Sequence, residues 1–301
     1  MGRCCIQIVM GPAGSGKSTY CHTMQQHCAS LGKLRRRTVH VANLDPAAES
    51  IRYDCTFDIR DLISVDEVME ELGLGPNGSL IYCMEYLLEN MDWLQDEVEQ
   101  FDDDEYLILD CPGQLELYTH VPIMKRIVDQ MSVWGFGPSM VSVFIVDATF
   151  VCDAPKFISG ALLSLSAMVS IELPHVNVLS KCDLVDTERV EKILDVESAT
   201  QLWSMEENAA ADRASLSCEF DELSEQQRIT DQKLRSRNRL TEAICSIIDD
   251  YSMVSYIPLD KTNEDSIDMV LSTIDHTVQY GEDLEVKGAD TDDFTGEESS
   301  D

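Results

Sequence analysis

Apolar runs alternate with amphipathic segments along the chain, and this pattern predicts its secondary structure. Short apolar runs, typical of buried strands, occur at residues 4–10, 38–42, 105–110, 140–148, 176–180 and 254–259. Apolar residues with the spacing of helices occur at residues 18–31, 64–72, 80–101, 119–134 and 266–280. Strands that alternate with helices predict an α/β fold with a doubly wound, mostly parallel sheet and helices on both faces.

Three segments depart from this alternation. Residues 47–61 are polar, and we expect a mobile stretch there. Residues 281–301 contain nine acids and one Lys, which predicts a disordered acidic tail after a single domain over residues 1–280. Residues from about 187 to 250 are highly charged and are predicted to be helical. The apolar residues expected to form one buried face of this region are Leu234, Leu240, Ile244, Ile247 and Ile248.

The composition of the chain argues against several kinds of partner and against disulfide or zinc sites. The net charge of −34 repels phosphate backbones, so we expect no direct contact with nucleic acid. No apolar stretch approaches the length of a membrane-spanning helix, so we expect no membrane partner. The 11 cysteines are odd in number and never spaced as C-x-x-C, which argues against a disulfide framework and a zinc site. A reducing compartment, the cytosol or the nucleus, is the expected location.

A glycine-rich segment directly follows the first predicted strand. Gly11–Thr19 fits the pattern G-x-x-x-x-G-K-[ST] and lies between a strand and a helix, the setting that this phosphate-binding motif requires. Lys17 is predicted to reach the β- and γ-phosphates, and Ser18 to offer its hydroxyl to Mg²⁺. The predicted phosphate-binding residues are Gly14, Ser15, Gly16, Lys17, Ser18 and Thr19.

Acidic residues follow two other predicted strands. Asp110 ends one strand and begins the pattern D-x-x-G-Q, in which Asp110 supports Mg²⁺, Gly113 senses the γ-phosphate and Gln114 orients the attacking water. Asp45 stands at the carboxyl end of the second strand, the edge at which open α/β sheets bind ligands. It is a candidate for supporting the metal or the water, but a turn acid before Pro46 explains it equally well.

A third pattern points to the base of the nucleotide. Ser180-Lys-Cys-Asp183 ends another strand and differs by one residue from the guanine-reading pattern [NT]-K-x-D. The Asp183 carboxylate can accept hydrogen bonds from the ring N1–H and the exocyclic amine of guanine, whereas adenine lacks a proton at N1. Lys181 can lay its stem along the base. The predicted guanine-binding residues are Ser180, Lys181, Cys182 and Asp183.

The combined motifs resemble those of the GPN-loop GTPases. Gly75-Pro76-Asn77 is only a turn signal when it stands alone, but here it falls where that family carries its naming tripeptide, as an insertion at about residues 73–79. The resemblance covers about residues 3–280. Within the family the chain most resembles the type 3 paralogues, through Asp45–Glu49, Asp58–Leu62 and Ser180.

This resemblance implies a dimeric, Mg²⁺-dependent GTPase in which each GPN loop reaches into the partner's site. Asn77 would then stabilise the phosphate region of the other subunit, and Gly75 and Pro76 complete the GPN motif. Related eukaryotic proteins form heterodimers with the type 1 paralogue, and a homodimer stays open. The resemblance also implies a role in the assembly and nuclear import of RNA polymerase II, with chaperones as further partners, for a cytoplasmic protein that shuttles to the nucleus.

Two alternatives to a GTP hydrolase remain at this point. A GTP-binding interaction protein or scaffold with negligible turnover could carry the same nucleotide motifs. A kinase could share the phosphate loop, although Gln114 and Asp183 argue against it because they suit water attack and guanine binding.

Overall fold

Seven strands form one sheet in the computed structural model, and every pair of neighbouring strands is parallel. Their spatial order is β3-β2-β4-β1-β5-β6-β7. The strands are β1 (Cys5–Met10), β2 (Val39–Asn43), β3 (Cys55–Asp58), β4 (Tyr106–Asp110), β5 (Met140–Asp147), β6 (His175–Ser180) and β7 (Tyr256–Pro258). This arrangement confirms the predicted α/β fold.

The helices lie on both sides of this sheet. Among the described residues, those before β7 are α1 (Lys17–Ser30), α2 (Val65–Leu72), α3 (Pro76–Glu89), α4 (Met91–Val98), α5 (Glu116–Thr119), α6 (Ile123–Val133), α7 (Ala154–Ile171), α8 (199–204) and α9 (239–250). After β7 comes α10 (Glu264–Val278). The structure describes residues 4–31, 37–102, 105–119, 121–150, 154–185, 188, 198–204, 239–250 and 255–280.

Alternate residues of β1 enter two separate hydrophobic cores, because successive side chains of a strand point to opposite faces. Ile6 and Ile8 face a large core that also holds apolar residues of α2 to α7. Cys5 and Val9 face a second core, which α1 and α10 cover. The sheet is therefore buried on both faces, as parallel sheets require.

The segment 47–61 was wrongly expected to be a mobile polar stretch. It contains the edge strand β3 and a 3-10 turn at Ile59–Asp61. Tyr53 and Phe57 are buried, whereas Asp54 and Thr56 between them are exposed. Tyr53 packs in the core that α1 and α10 cover, whereas Phe57 packs in the large core on the other face of the sheet. Exposed residues separate the two, so the segment has no continuous apolar run in the sequence.

The GPN region was also predicted incorrectly in part. The GPN tripeptide was expected to lie in a loop, yet α3 begins at Pro76, with Gly75 as its N-cap. Proline is favoured at the first helical position because its missing N–H has no partner there in any case. The helix expected over residues 80–101 is divided at Asn90 into α3 and α4.

Helix α7 was not predicted, and it corrects the expectation that no stretch approaches membrane-spanning length. Its 18 residues have a mean hydropathy of 1.4, and 44% of that window is buried inside the protein. Gly160 lies close against β5, where an added Cβ would stand 3.7 Å from Val146 Cγ1. A buried core helix passes the same test of length and composition, so α7 is weak evidence for a membrane and the expectation of no membrane partner stays a prediction.

The predicted buried face of the charged helical region is only partly correct. In α9, Cys245 and Ile248 are buried and pack near Ala161 of α7, while Leu240 and Ile247 are exposed. Leu234 and most of that region, together with residues 281–301, lie outside the described residues.

Candidate nucleotide site

The glycine loop connects the carboxyl end of β1 to α1, and its backbone requires glycine at specific positions. Gly11 has a φ of 141°, and a Cβ there would lie 2.3 Å from the Ile145 carbonyl oxygen of β5. Gly14 and Gly16 have φ values of 76° and 99°, which residues with side chains rarely adopt. The Ser15 hydroxyl is buried and has no hydrogen-bond partner among the described residues. A bound phosphate oxygen is the kind of partner that this hydroxyl lacks.

Lys17 is buried at the start of α1 with its ammonium turned back onto the loop. Its Nζ donates to the carbonyl oxygens of Gly11 and Pro12, both at 3.2 Å. Burial lowers the pKa of Lys17, and the nearby carboxylates of Asp110 and Asp45 oppose that shift. A phosphate group would stabilise the charged ammonium far better than two neutral carbonyls.

The D-x-x-G-Q segment packs directly onto this loop. A Cβ on Gly113 would lie 2.9 Å from both Lys17 Nζ and the Ala13 Cα, so only glycine fits between β4 and the phosphate loop. The structure thus brings together two motifs that are about 100 residues apart in the sequence.

The predicted metal residues also meet here. Asp110 is 3% exposed, and burial raises its pKa, while a hydrogen bond with Ser18 and the charge of Lys17 oppose the shift. Burial raises the pKa of Asp45 as well, and the two carboxylates repel each other. A hydroxyl and two carboxylates are the hard oxygen ligands that Mg²⁺ prefers. The described residues contain no group of three His, Cys, Asp or Glu side chains that could hold a metal.

Asp45 is held by a polar network that the sequence did not reveal. The Asn43 side chain is buried and accepts from the Asp45 backbone N–H at 3.1 Å. Its amide donates to Asp58 Oδ1 at 2.9 Å, and the Arg60 side chain donates hydrogen bonds to both carboxylate oxygens of Asp58. The run Asp58–Leu62 therefore supports the edge of the site, although it makes no predicted contact with the nucleotide.

Gln114 and Asn77 lie together in the same chain. Gln114 Nε2 donates to Asn77 Oδ1 at 3.0 Å, and Asn77 stands exposed in the first turn of α3. Gly75 and Pro76 are likewise exposed at the start of that helix. The GPN tripeptide therefore lies beside the residue expected to orient water, on an open face of the site.

Three of the four predicted base-reading residues line a cavity of about 160 Å³. Asp183, with 15% of its side chain exposed, forms an ion pair with Lys261 of the loop after β7, at 3.1 Å. The Lys181 ammonium donates to the Gly14 carbonyl at 2.7 Å and pairs with Asp147. The cavity lining includes Thr19, Ser180, Lys181, Asp183, Leu184 and Lys261, but not Cys182.

Ser180 stands where the guanine-reading pattern usually has Asn or Thr. Its hydroxyl is buried and donates to the carbonyl oxygens of Ser15 and Val146. This places the end of β6 directly against the phosphate loop, so the base cavity and the phosphate site form one continuous surface.

Comparison with known proteins finds relatives over most of this chain. A family model described as a conserved hypothetical ATP binding protein matches residues 9–280. A GPN-loop GTPase 3 from Danio rerio is 48% identical, with 93% of this chain and 90% of the relative covered. Others from Dictyostelium discoideum (46%; 94% and 90% covered) and Saccharomyces cerevisiae (42%; 93% and 94%) are similar throughout. The chain belongs to the GPN-loop GTPase 3 family.

As a member of the GPN-loop GTPases, the chain is a GTPase by class. A solved structure of a GTPase in its apo form from Pyrococcus abyssi has a TM-score of 0.66 to this chain, with 20% identity. The match covers 91% of this chain and 97% of that one, and it shows that the two share a fold.

Several residues of this GPN-loop GTPase site were missed in the sequence. Tyr53 donates its hydroxyl to Asp110 Oδ2 at 3.1 Å, and Lys261 pairs with Asp183. Asp147 fixes Lys181. The position of Asp147 at the end of an apolar strand was a usable signal for it, since ligands bind at that edge of the sheet. Tyr53 and Lys261 belong to no motif and carried no such signal.

Proposed function

We propose that this chain binds Mg²⁺·GTP and hydrolyses it to GDP and phosphate, as one subunit of a dimer that assists RNA polymerase II assembly and nuclear import. The observation that carries the hydrolytic part is the contact of Gly113 with Lys17 and the phosphate loop. That contact puts Gln114, the next residue, beside the place where a γ-phosphate would bind.

Each part of the site has a task in this reaction. Lys17 would exchange its carbonyl partners for the phosphates, and Ser18 and Asp110 would hold Mg²⁺. Bound Mg²⁺ neutralises charge that develops on the phosphates during transfer. Gln114 would orient the attacking water, and Asp45 would support the water or the metal from the end of β2. Asp183 and Lys181 would select guanine.

Two rival functions are distinguished by the product. A kinase would transfer the phosphoryl group to an acceptor, whereas a hydrolase releases inorganic phosphate. A scaffold with negligible turnover would show almost no release in a single-turnover assay. Gln114 favours hydrolysis, because a protein that only binds GTP has no use for a side chain that orients water.

A shared site explains why the GPN tripeptide is exposed. Asn77 is a neutral amide donor at an open edge, and donors supplied by a partner can stabilise charge on a transferring phosphoryl group. We propose that the hydrogen bond that Gln114 donates to Asn77 within one chain is exchanged, on dimerisation, for a contact between Asn77 and the phosphates of the partner.

Mixing two inactive variants tests this sharing. Asn77→Ala keeps Gln114, and Gln114→Ala keeps Asn77, so a mixed dimer holds one site with both residues only if Asn77 acts across the dimer. We expect each variant alone to be slow and the equimolar mixture to recover about a quarter of the wild-type rate of phosphate release, since random pairing makes half of the dimers mixed, each with one intact site. No recovery in a mixture that light scattering shows to be dimeric would mean that Asn77 serves its own chain.

The cellular role requires a test in cells. We expect affinity purification of the tagged chain to recover a type 1 paralogue, RNA polymerase II subunits and chaperones, identified by mass spectrometry. Cells that carry only a Lys17→Ala variant should accumulate the polymerase in the cytoplasm, because that change removes the main phosphate-binding cation. Normal nuclear polymerase in those cells would contradict the import role and leave the hydrolytic proposal intact.

A further inference from the structure

Tyr53 makes a contact with the metal-binding acid that no motif predicts. Its hydroxyl donates to Asp110 Oδ2 at 3.1 Å, and both residues are buried, with 5% and 3% exposure. An ionised carboxylate has only acceptors, so the Tyr53 hydroxyl is the donor of this bond. One oxygen of this carboxylate is therefore committed to the tyrosine.

The helix that follows the phosphate loop holds Tyr53 in place. The Gln25 side chain on α1 makes two hydrogen bonds to the backbone of Asp54, accepting from its N–H and donating to its carbonyl, both at 2.9 Å. Such a pair imitates the contacts of a neighbouring strand and fixes the chain on both sides of one residue. Ser18, which is predicted to bind the same metal, lies two turns earlier on that helix.

We propose that Tyr53 is a positioning residue for magnesium, which fixes the Asp110 carboxylate so that its other oxygen is available to the metal. The inference rests on the proposed Mg²⁺-dependent function. Outer hydrogen bonds of this kind orient metal ligands, and their loss commonly lowers metal affinity by about 10- to 100-fold. The segment that carries Tyr53 thus helps to build the metal site from outside the recognised motifs.

Release of a fluorescent GDP analogue measures this effect without relying on catalysis. In the wild-type protein, Mg²⁺ should slow GDP release relative to release in EDTA. For Tyr53→Phe, we expect the Mg²⁺ concentration that gives half of this slowing to rise about 10-fold, with an unchanged rate in EDTA. A variant that only loosened the fold would release GDP faster in both conditions.

The chain offers a closely matched control in Tyr106. Its hydroxyl also donates to a carboxylate, Asp275 Oδ1 at 2.6 Å, and it lies in the same core cluster as Tyr53. Tyr106 begins β4, whereas Asp110 ends that strand, so Tyr106→Phe removes a similar bond far from the metal site. We expect Tyr106→Phe to lower the melting temperature at least as much as Tyr53→Phe, with the wild-type Mg²⁺ dependence.

Gln25 supplies a second variant that acts through the same contact. Gln25→Ala frees the backbone at Asp54 and should raise the required Mg²⁺ concentration by less than Tyr53→Phe does. The double variant should be no worse than Tyr53→Phe alone, because once the hydroxyl is absent its placement has no further effect.

The results separate this inference from the proposed function. If EDTA does not change the rate of GDP release from the wild-type protein, both the Mg²⁺-dependent function and the inference about Tyr53 would be overturned. A wild-type protein that responds to Mg²⁺, together with an unchanged response in Tyr53→Phe, would overturn the inference alone. Equal shifts in Tyr53→Phe and Tyr106→Phe would also overturn it, since they would reflect general loosening of the core.

Discussion

Replacing Gln114 with Ala is expected to slow GTP hydrolysis by about 100-fold and to leave GTP binding nearly unchanged. The side chain is partly exposed and hydrogen-bonds Asn77, so it does not hold the phosphate loop together. Its expected partner is the attacking water, which is bound productively only as the reaction proceeds. An interaction made in the transition state alone affects the rate and not the affinity.

Single-turnover phosphate release and a separate nucleotide titration measure the two effects. Gln95→Ala is the matched control, because Gln95 lies on α4 and its side chain bonds only the exposed Glu99 among the described residues. This control should retain the wild-type rate. An unchanged rate for Gln114→Ala would remove Gln114 from the mechanism, and a large loss of affinity would assign it to ground-state binding instead.

The site motifs were predictable because each is contiguous in sequence and stands at the end of a strand. The backbone of Gly11–Thr19 requires glycine at positions of positive φ, and these glycines can be recognised in the sequence without a structure. The strand that ends at Asp110 is buried on both faces, so its residues 106–109 form an uninterrupted apolar run. The strand that ends at Ser180 is also buried, and its run is interrupted only by Asn177 after His175. These runs were enough to predict the sheet and to place the site motifs at the carboxyl ends of its strands.

The site residues that could not be predicted from the sequence are those that act through contacts with distant residues. Tyr53 reaches Asp110 across 57 positions, and Lys261 reaches Asp183 across 78. Neither residue has neighbours that mark it, and the strand beside Tyr53 alternates polar and apolar residues at the edge of the sheet. Exposed residues such as Asp54 and Thr56 interrupt the apolar residues there, so the hydrophobic signal of this segment is weak.

The start of α3 shows a second limit of sequence-based prediction. The same local sequence can form a turn or begin a helix, and the turn was the wrong choice here. Gly75-Pro76-Asn77 has the composition of a turn, yet Pro76 suits the first turn of a helix equally well. Only packing decides between the two. Leu80, Met84 and Leu87 bury one side of α3 in the large core, which favours extending the helix back to Pro76.

Replacing Asp183 with Asn is expected to exchange guanine preference for xanthine preference. The carboxylate has only acceptors, which match the N1–H and the 2-amino group of guanine. Asparagine retains one acceptor for N1–H but presents an amide donor, which opposes the guanine amine and matches the C2 carbonyl of xanthine. Because a hydrogen bond to a charged group is worth about 1.5–3 kcal/mol, loss of the bond to the amine should lower GTP affinity by about 10- to 150-fold.

Competition between nucleotides measures the contribution of the base to affinity, because GTP, XTP and ATP share the same triphosphate. In the wild-type protein we expect GTP to exceed ATP in affinity by about 100-fold or more, because adenine would leave the Asp183 carboxylate without a donor. In Asp183→Asn, XTP should bind more tightly than GTP. Equal affinities of the wild-type protein for GTP and ATP would remove the role of Asp183 in selectivity.

Lys261 makes the choice of control important, because Asp183→Asn also removes the negative partner of that ammonium. Asp260→Asn changes the net charge equally and lies beside Lys261, but the Asp260 carboxylate caps Thr262 and does not line the cavity. If the exchange of bases comes from hydrogen bonding, Asp260→Asn should keep the wild-type preference for GTP. A preference for XTP in both variants would show that the local charge, and not the pattern of donors and acceptors, selects the base.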